Sequence, residues 1–418
     1  MVEYEFGGPL GAAAITFGLP VLLYAFTFAC NDVSGCPMPS LLQPRDLTWA
    51  KLKADANLLN IGLSNFLSWK VTLVTVAYYV FGRSLWKILP AKEVHGTKLM
   101  HHDRPLQYRF NAFSAIPLTA NVLISYALSV FLYVNSFTVD TKYPNRDFRE
   151  LAAGGMTGNL IYDLYIGREL NPRVTLPLIG EVDIKTWCEV CPGLTVWIPL
   201  DLSFIAQQDR NYGYLSDSIV FTTAYNESSI LTMMDITTDG MGFMLAFGDL
   251  VWVPFLYSTQ ARYLAAFPVH LGEPRILVVA AVFVLGIYIF KAANNQKHLF
   301  RTQPNHPAVR DLWSITTRRG TRLLTAGWWG LSRHINYFGD WVQAWPFSLP
   351  TGVAGYTISP DRPAAGWGMI FTYFYVLYFG VLLVHRERRD DAMCAKKYGE
   401  DWKTYKRTVR WRILPWTY

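Results

Sequence analysis

Long apolar segments constrain this chain more than any other feature of its sequence. A helix needs about 20 apolar residues to cross the ~30 Å hydrocarbon core of a bilayer. Segments near that length lie at 8–29, 67–89, 112–134, 241–267, 276–290 and 366–384, with weaker ones at 151–166, 187–206 and 323–349. They are continuously apolar rather than alternating, which argues against an outer-membrane barrel. We therefore predict an all-α integral membrane protein, a bundle of about 8–10 transmembrane helices.

Charge is scarce and unevenly placed. Only 17% of the 418 residues are charged, whereas 51% are hydrophobic, and the formal net charge is +7. Residues 385–418 hold ten Lys or Arg and five Asp or Glu, which accounts for +5 of that total. This distribution argues against nucleic acid as a partner and favours contact with membrane lipids. Basic residues also concentrate at 91–109 and 296–322, so the positive-inside rule predicts that these loops and the tail are cytoplasmic.

Acidic residues stand out near the start of the apolar segment 241–267. A charge at bilayer depth costs at least ~2.5 kcal/mol on insertion scales and usually marks a cavity or a site. Asp249 has apolar residues on both sides, and Tyr257 follows eight residues later on the same helical face. A phenol beside a carboxylate can act as a general acid. The alternative is a structural carboxylate bonded to the helix backbone or to Arg262.

The C-terminal third carries a different polar pattern. Arg386, Asp390, Cys394 and Tyr398 recur at every fourth position, so on a helix they form one stripe. Snorkelling at the membrane interface explains basic residues there, but not the Asp, Cys and Tyr in the same stripe. Arginine forks bind phosphate, and aromatic side chains stack on rings. The pattern therefore favours a pocket for a phosphate-bearing nicotinamide nucleotide over S-adenosylmethionine, which carries no phosphate.

Metal-binding motifs do not occur in the sequence. Cys188 and Cys191 form a C-x-x-C pair without the second pair that a zinc site needs, and there is no H-E-x-x-H string. We therefore predict that the protein holds no metal.

Two longer motifs resemble the signatures of the sterol reductase family. One is G-N-L-I-Y-D-L-Y-I-G-R-E-L-N-P-R at 158–173, and the other is L-V-H-R-E-R-R-D at 383–390, followed by Cys394 and K-Y-G at 397–399. The resemblance extends over nearly the whole chain and is greatest to the C-14 sterol reductases. It implies a ten-helix protein of the endoplasmic reticulum membrane that reduces a sterol ring double bond with NADPH.

The resemblance also implies which residues bind NADPH, and the spacing of the charges adds Asp340 and Arg386. The complete set is Lys297, Arg301, Leu324, Trp329, Asn336, Tyr337, Asp340, Arg386, Asp390, Cys394, Lys397, Tyr398 and Tyr405. We expect two parts: a transmembrane bundle at 1–290, whose segment 225–264 faces the sterol, and the last transmembrane helices with the NADPH pocket at 291–418.

The expected reaction is reduction of the C14–C15 double bond of a sterol intermediate in sterol biosynthesis. An isolated alkene accepts hydride poorly, so a proton must reach C15 before or while hydride reaches C14. The expected proton donor is Tyr257 or Asp249, with Tyr225 and Glu227 as further candidates. The sterol enters from the lipid phase, and other enzymes of the sterol pathway are further candidate partners.

Three alternatives stay open at this point. A C-7 or C-24(28) sterol reductase would use the same cofactor pocket on a different double bond. A membrane methyltransferase would bind S-adenosylmethionine, and its activity would not depend on NADPH. A non-catalytic sterol-binding scaffold of the nuclear envelope would bind sterol without turnover.

Overall fold

The computed structural model describes most of the chain, and the described residues form two compact units. The described residues are 4–30, 36–42, 44–55, 73, 77, 92–98, 105–110, 118–139, 149–152, 154–176, 180–189, 193, 197–217, 239–352, 357–359, 362–365 and 368–418. Unit 1 comprises Met1–Leu215, Thr223–Phe267 and Tyr356–Gly368. Unit 2 comprises Ser216–Thr222, Pro268–Gly355 and Met369–Tyr418.

Unit 1 is built mainly from helices. The described helices are α1 (Gly8–Ala29), α2 (Trp49–Asp55), α3 (Leu118–Asn135), α4 (Leu160–Ile166), α5 (Ile184–Cys188), α6 (Trp197–Tyr212), α7 (Phe243–Phe247) and α8 (Val253–Ala266). Single 3₁₀ turns lie at Pro39–Leu42, Pro44–Asp46 and Ser136–Thr138. A wide π turn at Gly248–Trp252 joins α7 to α8, so the two helices form one continuous segment.

Unit 2 contains the C-terminal helices. They are α9 (Glu273–Thr302), α10 (Trp328–Leu331), α11 (Ile335–Ser348), α12 (Met369–Tyr398) and α13 (Glu400–Thr408), with a 3₁₀ turn at Leu349–Thr351. Two glycines let α9 and α11 approach closely. A Cβ on Gly286 would lie 2.4 Å from the Gln343 backbone nitrogen, and one on Gly339 would lie 2.6 Å from the Phe290 backbone nitrogen. This close packing fixes α9, whose last turns carry part of the candidate site.

Three helices in the described part of the chain are long and apolar enough to cross a membrane. They lie at Gly8–Ala29, Asn121–Thr138 and Glu273–Thr302. The prediction of a helical membrane protein with several spans is confirmed. The total of 8–10 spans stays a prediction, and most of the apolar segment 67–89 lies outside the described residues.

In the described part of the chain, four antiparallel hairpins interrupt the helical pattern, and the sequence did not predict them. They are β1 (Lys92–Lys98) with β2 (Pro105–Phe110), β3 (Arg173–Leu176) with β4 (Gly180–Asp183), β5 (Ser314–Thr316) with β6 (Arg322–Leu324), and β7 (Thr357–Ser359) with β8 (Arg362–Ala365). Strands of three to seven residues are too short to show a clear alternation of apolar and polar positions. The hairpins lie in the connections between helices and leave the helical class unchanged.

The motif at 158–173 meets the segment 239–242 in unit 1, just before α7. A Cβ on Gly240 would lie 1.9 Å from the Gly167 carbonyl oxygen, so only glycine permits this approach. The Met241 backbone N–H donates to the Glu169 carbonyl oxygen at 2.8 Å. Lys185 is fully buried, and its Nζ donates to the Asp239 carbonyl oxygen. These bonds fix the chain at the entrance to α7 and the π turn.

Candidate functional site

In unit 2, the last turns of α9 bring Lys297 against an indole ring. The Lys297 Nζ lies 3.7 Å from the centre of the Trp329 ring. The Trp329 Nε1 donates to the Ala293 carbonyl oxygen at 2.8 Å, and the ring is buried in one cluster with Leu324 and Ile335. The ring is therefore held in place and presents its face to a cation.

A glycine at the entrance to α10 makes room for this arrangement. Gly327 has φ +65°, and a Cβ there would lie 2.4 Å from the Gln296 Nε2. The Gln296 Oε1 accepts a hydrogen bond from the Trp328 backbone N–H at 2.9 Å. The first turn of α10 is thus tied to α9, which places Trp329 beside Lys297.

The next contacts join α11 to α12. The Tyr337 hydroxyl donates to the Asp390 Oδ2 at 3.0 Å. The His334 ring stacks on Tyr337 with a centroid distance of 4.9 Å, and its Nδ1 lies 3.8 Å from the Asp390 Oδ2. Burial raises the pKa of Asp390, and the Tyr337 hydrogen bond and the charges of Lys297 and Arg386 offset only part of that effect. Asp390 is thus a carboxyl group held next to cations and a phenol.

The end of α12 meets an aromatic cluster formed with α13. Cys394 and Tyr398 pack against buried Trp402 and Tyr405. The ring centroids of Trp402 and Tyr405 are 4.9 Å apart, and those of Tyr398 and Trp402 are 6.3 Å apart, both in stacked orientation. Burial and the negative charge of Asp390 raise the pKa of the Cys394 thiol, so the thiol stays neutral at physiological pH. Stacked rings of this kind offer a flat wall to an aromatic ligand.

The other predicted cofactor residues differ in their surroundings. The Asn336 Oδ1 is buried and has no hydrogen-bond partner among the described residues. The Asp340 Oδ1 accepts a hydrogen bond from the Gln343 side chain. Arg301 and Lys397 are exposed at the ends of α9 and α12. The buried amide oxygen of Asn336 is the kind of group that a ligand would satisfy.

The structure thus brings a core of the predicted set together in unit 2. The members joined by contact or by mutual electrostatic influence are Lys297, Trp329, Tyr337, Arg386, Asp390 and Cys394. Leu324, Tyr398 and Tyr405 lie in the two apolar clusters and shape the walls rather than supply charge.

His334 and Gln296 were not predicted from the sequence. The ring of His334 stacks on the phenol of Tyr337, which donates to Asp390. In the sequence, His334 is marked only by its position directly before Ile335, the first residue of α11. Arg333, the adjacent basic residue, has a structural role. Its Nη1 donates to the Val409 and Arg410 carbonyl oxygens at 2.9 Å each, which anchors the C-terminal tail.

The predicted catalytic residues that the structure describes lie in unit 1. Asp249 is 8% exposed and lies inside the π turn. Gly193 packs beside this carboxylate, since a Cβ there would lie 3.4 Å from the Asp249 Cβ, an ordinary van der Waals contact. From α3, the Asn121 Nδ2 donates to the Leu250 carbonyl oxygen at 2.9 Å and supports the turn. Such π turns inside α-helices are frequent at functional sites.

Tyr257 lies on α8 and is half-buried. A π turn contains one more residue than an α turn, so Tyr257 follows Asp249 by nearly two full turns and shares its face. The Arg262 guanidinium lies 5.1 Å from the centre of the Phe255 ring. Tyr225 and Glu227, the other two candidates for proton donation, lie outside the described residues.

The chain matches a known protein family along its length. The sequence pattern of the Ergosterol biosynthesis ERG4/ERG24 family matches residues 1–124 and 116–418. The chain belongs to this family of sterol reductases. The family resemblance of its two long motifs is confirmed.

Individual relatives are similar over their full length. The Delta(14)-sterol reductase ERG24B of Gibberella zeae is 50% identical over 100% of this chain and 98% of its own. The Delta(14)-sterol reductase of Neurospora crassa is 49% identical over 100% of this chain and 96% of its own. The Delta(14)-sterol reductase erg24 of Schizosaccharomyces pombe is 41% identical over 100% and 97%. The predicted likeness to the C-14 branch of the family is therefore confirmed.

Proposed function

We propose that this protein reduces the C14–C15 double bond of a sterol intermediate in ergosterol biosynthesis. The observation that carries the proposal is the 50% identity to a Delta(14)-sterol reductase, over 100% of this chain and 98% of that relative. The same relatives weigh against the methyltransferase and scaffold alternatives, because their names describe a reductase.

NADPH is the proposed cofactor, and the residues of unit 2 fit it. The buried Asn336 Oδ1 has no hydrogen-bond partner among the residues that the structure describes, Lys297 offers a cation, and the Trp402–Tyr405 cluster offers stacked rings. When bound, NADPH supplies the hydride. The residues that would hold it are Lys297, Arg301, Leu324, Trp329, Asn336, Tyr337, Asp340, Arg386, Asp390, Cys394, Lys397, Tyr398 and Tyr405. Their cations would bind its phosphates, and Tyr337 with Asp390 would orient its polar groups.

The residues proposed to donate the proton and to stabilise positive charge on the sterol lie in the part of the chain assigned to sterol binding. Tyr257 is a half-buried phenol and is the proposed donor of the proton to C15. Asp249 is a buried carboxyl group that, when ionised, would stabilise positive charge at C14, because charges act strongly in a low-dielectric pocket. Tyr225 and Glu227 remain candidates for the same step. We assign sterol binding to the bundle at residues 1–290, with its segment 225–264, and cofactor binding to residues 291–418.

The proposed location is the endoplasmic reticulum membrane, where the sterol enters from the lipid phase. Cys30 and Cys36 form a disulfide just after α1, and disulfides persist in the lumen rather than in the cytosol. The Ala29 end of α1 would therefore face the lumen. Other enzymes of the pathway are proposed as partners in the same membrane. An epitope tag before residue 1 should be accessible to antibody from the cytosol, and a tag protected inside the lumen would contradict this orientation.

Sterols that differ only in the position of the double bond provide the test. Purified protein receives NADPH and a Δ14, a Δ7 or a Δ24(28) sterol, and NADPH consumption is measured against product. We expect oxidation of NADPH with the Δ14 sterol alone. Consumption with a Δ7 or Δ24(28) sterol instead would assign the protein to another branch of the family.

Variants then test the residues. Asp390→Ala and Arg386→Ala should each abolish turnover through lost NADPH binding. Tyr257→Phe and Asp249→Asn should retain NADPH binding and lose turnover, since their proposed roles concern the sterol. Full turnover in Asp390→Ala and Arg386→Ala would refute the cofactor assignment.

A further inference from the structure

The β5–β6 hairpin of unit 2 has no role in the site as described so far, although it contacts both apolar walls of the candidate pocket. Leu324 on β6 is buried in one cluster with Trp329. Its neighbour Leu323 packs against the cluster of Trp402 and Tyr405. Successive residues of a strand point to opposite faces, so a single strand reaches both walls. The hairpin is therefore a structural part of the pocket.

The turn of the hairpin is bonded to the ends of two helices. The Arg318 backbone N–H donates to the Asp401 Oδ2 at 2.7 Å, in the first turn of α13. The Arg319 Nη1 donates to the Lys397 carbonyl oxygen at 3.3 Å, in the last turn of α12. These two bonds hold the Arg319 guanidinium beside Lys397, which belongs to the proposed cofactor set.

A second arginine of the hairpin lies against the end of α9. The Arg322 Cζ is 4.7 Å from the centre of the Phe300 ring, and the Arg322 Nε donates to the Ser314 Oγ at 3.0 Å. Phe300 directly precedes Arg301, another member of the proposed cofactor set. The ring contact and the hydrogen bond hold the plane of the guanidinium, while its two terminal nitrogens have no hydrogen-bond partner among the described residues. An arginine held in this way presents a ready fork to two phosphate oxygens.

The hairpin thus completes a cluster of four exposed cations, which we call the basic cluster: Arg301, Arg319, Arg322 and Lys397. In the part of the chain that the structure describes, no member of the cluster forms an ion pair with a carboxylate. Asp401, which contacts the turn, is paired with Arg318 instead. Like charges gathered without counter-charges repel one another. A multiply charged anion bound among them would remove this repulsion and accept their hydrogen bonds.

We propose that the basic cluster binds the 2′-phosphate of NADPH, and that Arg319 and Arg322 make the protein select NADPH over NADH. The inference rests on the proposed cofactor. A phosphate monoester carries about −1.5 to −2 charges at pH 7, which suits several cations at one place. The 2′-phosphate also branches from the nucleotide, whereas the pyrophosphate lies within its chain. An exposed cluster at the edge of the pocket fits a projecting group of this kind.

The test measures Kd for NADPH and for NADH, which differ only in this phosphate, by titration calorimetry of the purified protein in phosphatidylcholine nanodiscs. In Arg319→Gln and in Arg322→Gln, the Kd for NADPH should rise by about tenfold, because each change removes a charge-assisted hydrogen bond. The Kd for NADH should stay unchanged in both. Arg310→Gln is the matched control, since Arg310 is an exposed arginine outside the hairpin that pairs with Asp311. It should match the wild type for both nucleotides.

The ratio of the two Kd values separates phosphate recognition from other roles of the hairpin. Equal rises in both Kd values would assign these arginines to the structure of the pocket alone and overturn the proposal. If the hairpin binds anionic lipid headgroups instead, Arg322→Gln will lower the amount of anionic lipid that co-purifies with the protein. The ratio would then stay at its wild-type value, which would also overturn the proposal.

The wild type provides a measurement that does not depend on the folding of any variant. Added salt should weaken the binding of NADPH more than that of NADH, because interactions between exposed charges are screened; equal weakening would contradict the proposal. A wild type that binds neither nucleotide would refute the proposed cofactor itself. Equal affinity for the two, or a preference for NADPH that both hairpin variants retain, would refute only the role of the hairpin.

Discussion

The contact between Lys297 and Trp329 leads to the most specific prediction about cofactor binding. Lys297→Met keeps an unbranched side chain of similar length against the indole and removes only the charge. A hydrogen bond to a charged group contributes about 1.5–3 kcal/mol, and a tenfold change in Kd corresponds to about 1.4 kcal/mol. Loss of the ammonium should therefore raise the Kd for NADPH by about 10-fold to 150-fold.

Stability should respond much less than affinity to this change. The Nζ lies 3.7 Å from the ring centre, a contact that contributes about 0.5–2 kcal/mol. Removing a half-buried ammonium from its apolar surroundings offsets part of this loss. We expect the free energy of unfolding to change by less than about 1 kcal/mol. An assay of NADPH binding by titration calorimetry, with a thermal melt in parallel, measures both quantities.

Lys291→Met is the matched control, since Lys291 is exposed on the same helix. It should leave the Kd for NADPH within a factor of two, a change of about 0.4 kcal/mol. An unchanged Kd in Lys297→Met, with a normal melt, would refute the assignment of Lys297 to the cofactor pocket.

Three further changes test the framework around the site, each by thermal unfolding of the purified protein. Gly327→Ala should lower the melting temperature, because its Cβ would collide with Gln296 at a positive φ; an unchanged melt would contradict this. Glu387→Gln should cost about 3 kcal/mol, since Glu387 is fully buried between two arginines; a loss below about 1 kcal/mol would mean the arginines find other partners. Burial raises the pKa of Asp391, but hydrogen bonds from the Trp402 and Lys406 side chains outweigh it and hold that pKa below its usual range. Asp391→Asn should therefore destabilise at pH 7, and the difference should shrink as the pH falls below about 4; a pH-independent difference would exclude the ionic contribution.

The helical pattern and the stripe on α12 could be predicted because both depend on local spacing. Arg386, Asp390, Cys394 and Tyr398 lie on one uninterrupted helix, as their four-residue interval requires. The interval gives no information on what faces the stripe. The partner of Asp390 is Tyr337, 53 residues earlier in the chain, and only tertiary packing brings the two together.

Residues whose role depends on distant backbone groups could not be read from the sequence. Arg333 binds carbonyl oxygens 76 and 77 residues away, and carbonyl groups carry no sequence signal. The short hairpins were missed for the related reason that their pairing, not their composition, defines them.

Isotope labelling of the product tests the proposed reaction most directly. Purified protein converts a Δ14 sterol twice, once with NADPH deuterated at the transferred position in ordinary water, and once with unlabelled NADPH in deuterated water. The account predicts deuterium at C14 in the first product and at C15 in the second, located by NMR. Label at C15 from the cofactor, or at C14 from the solvent, would contradict the proposed division between hydride and proton.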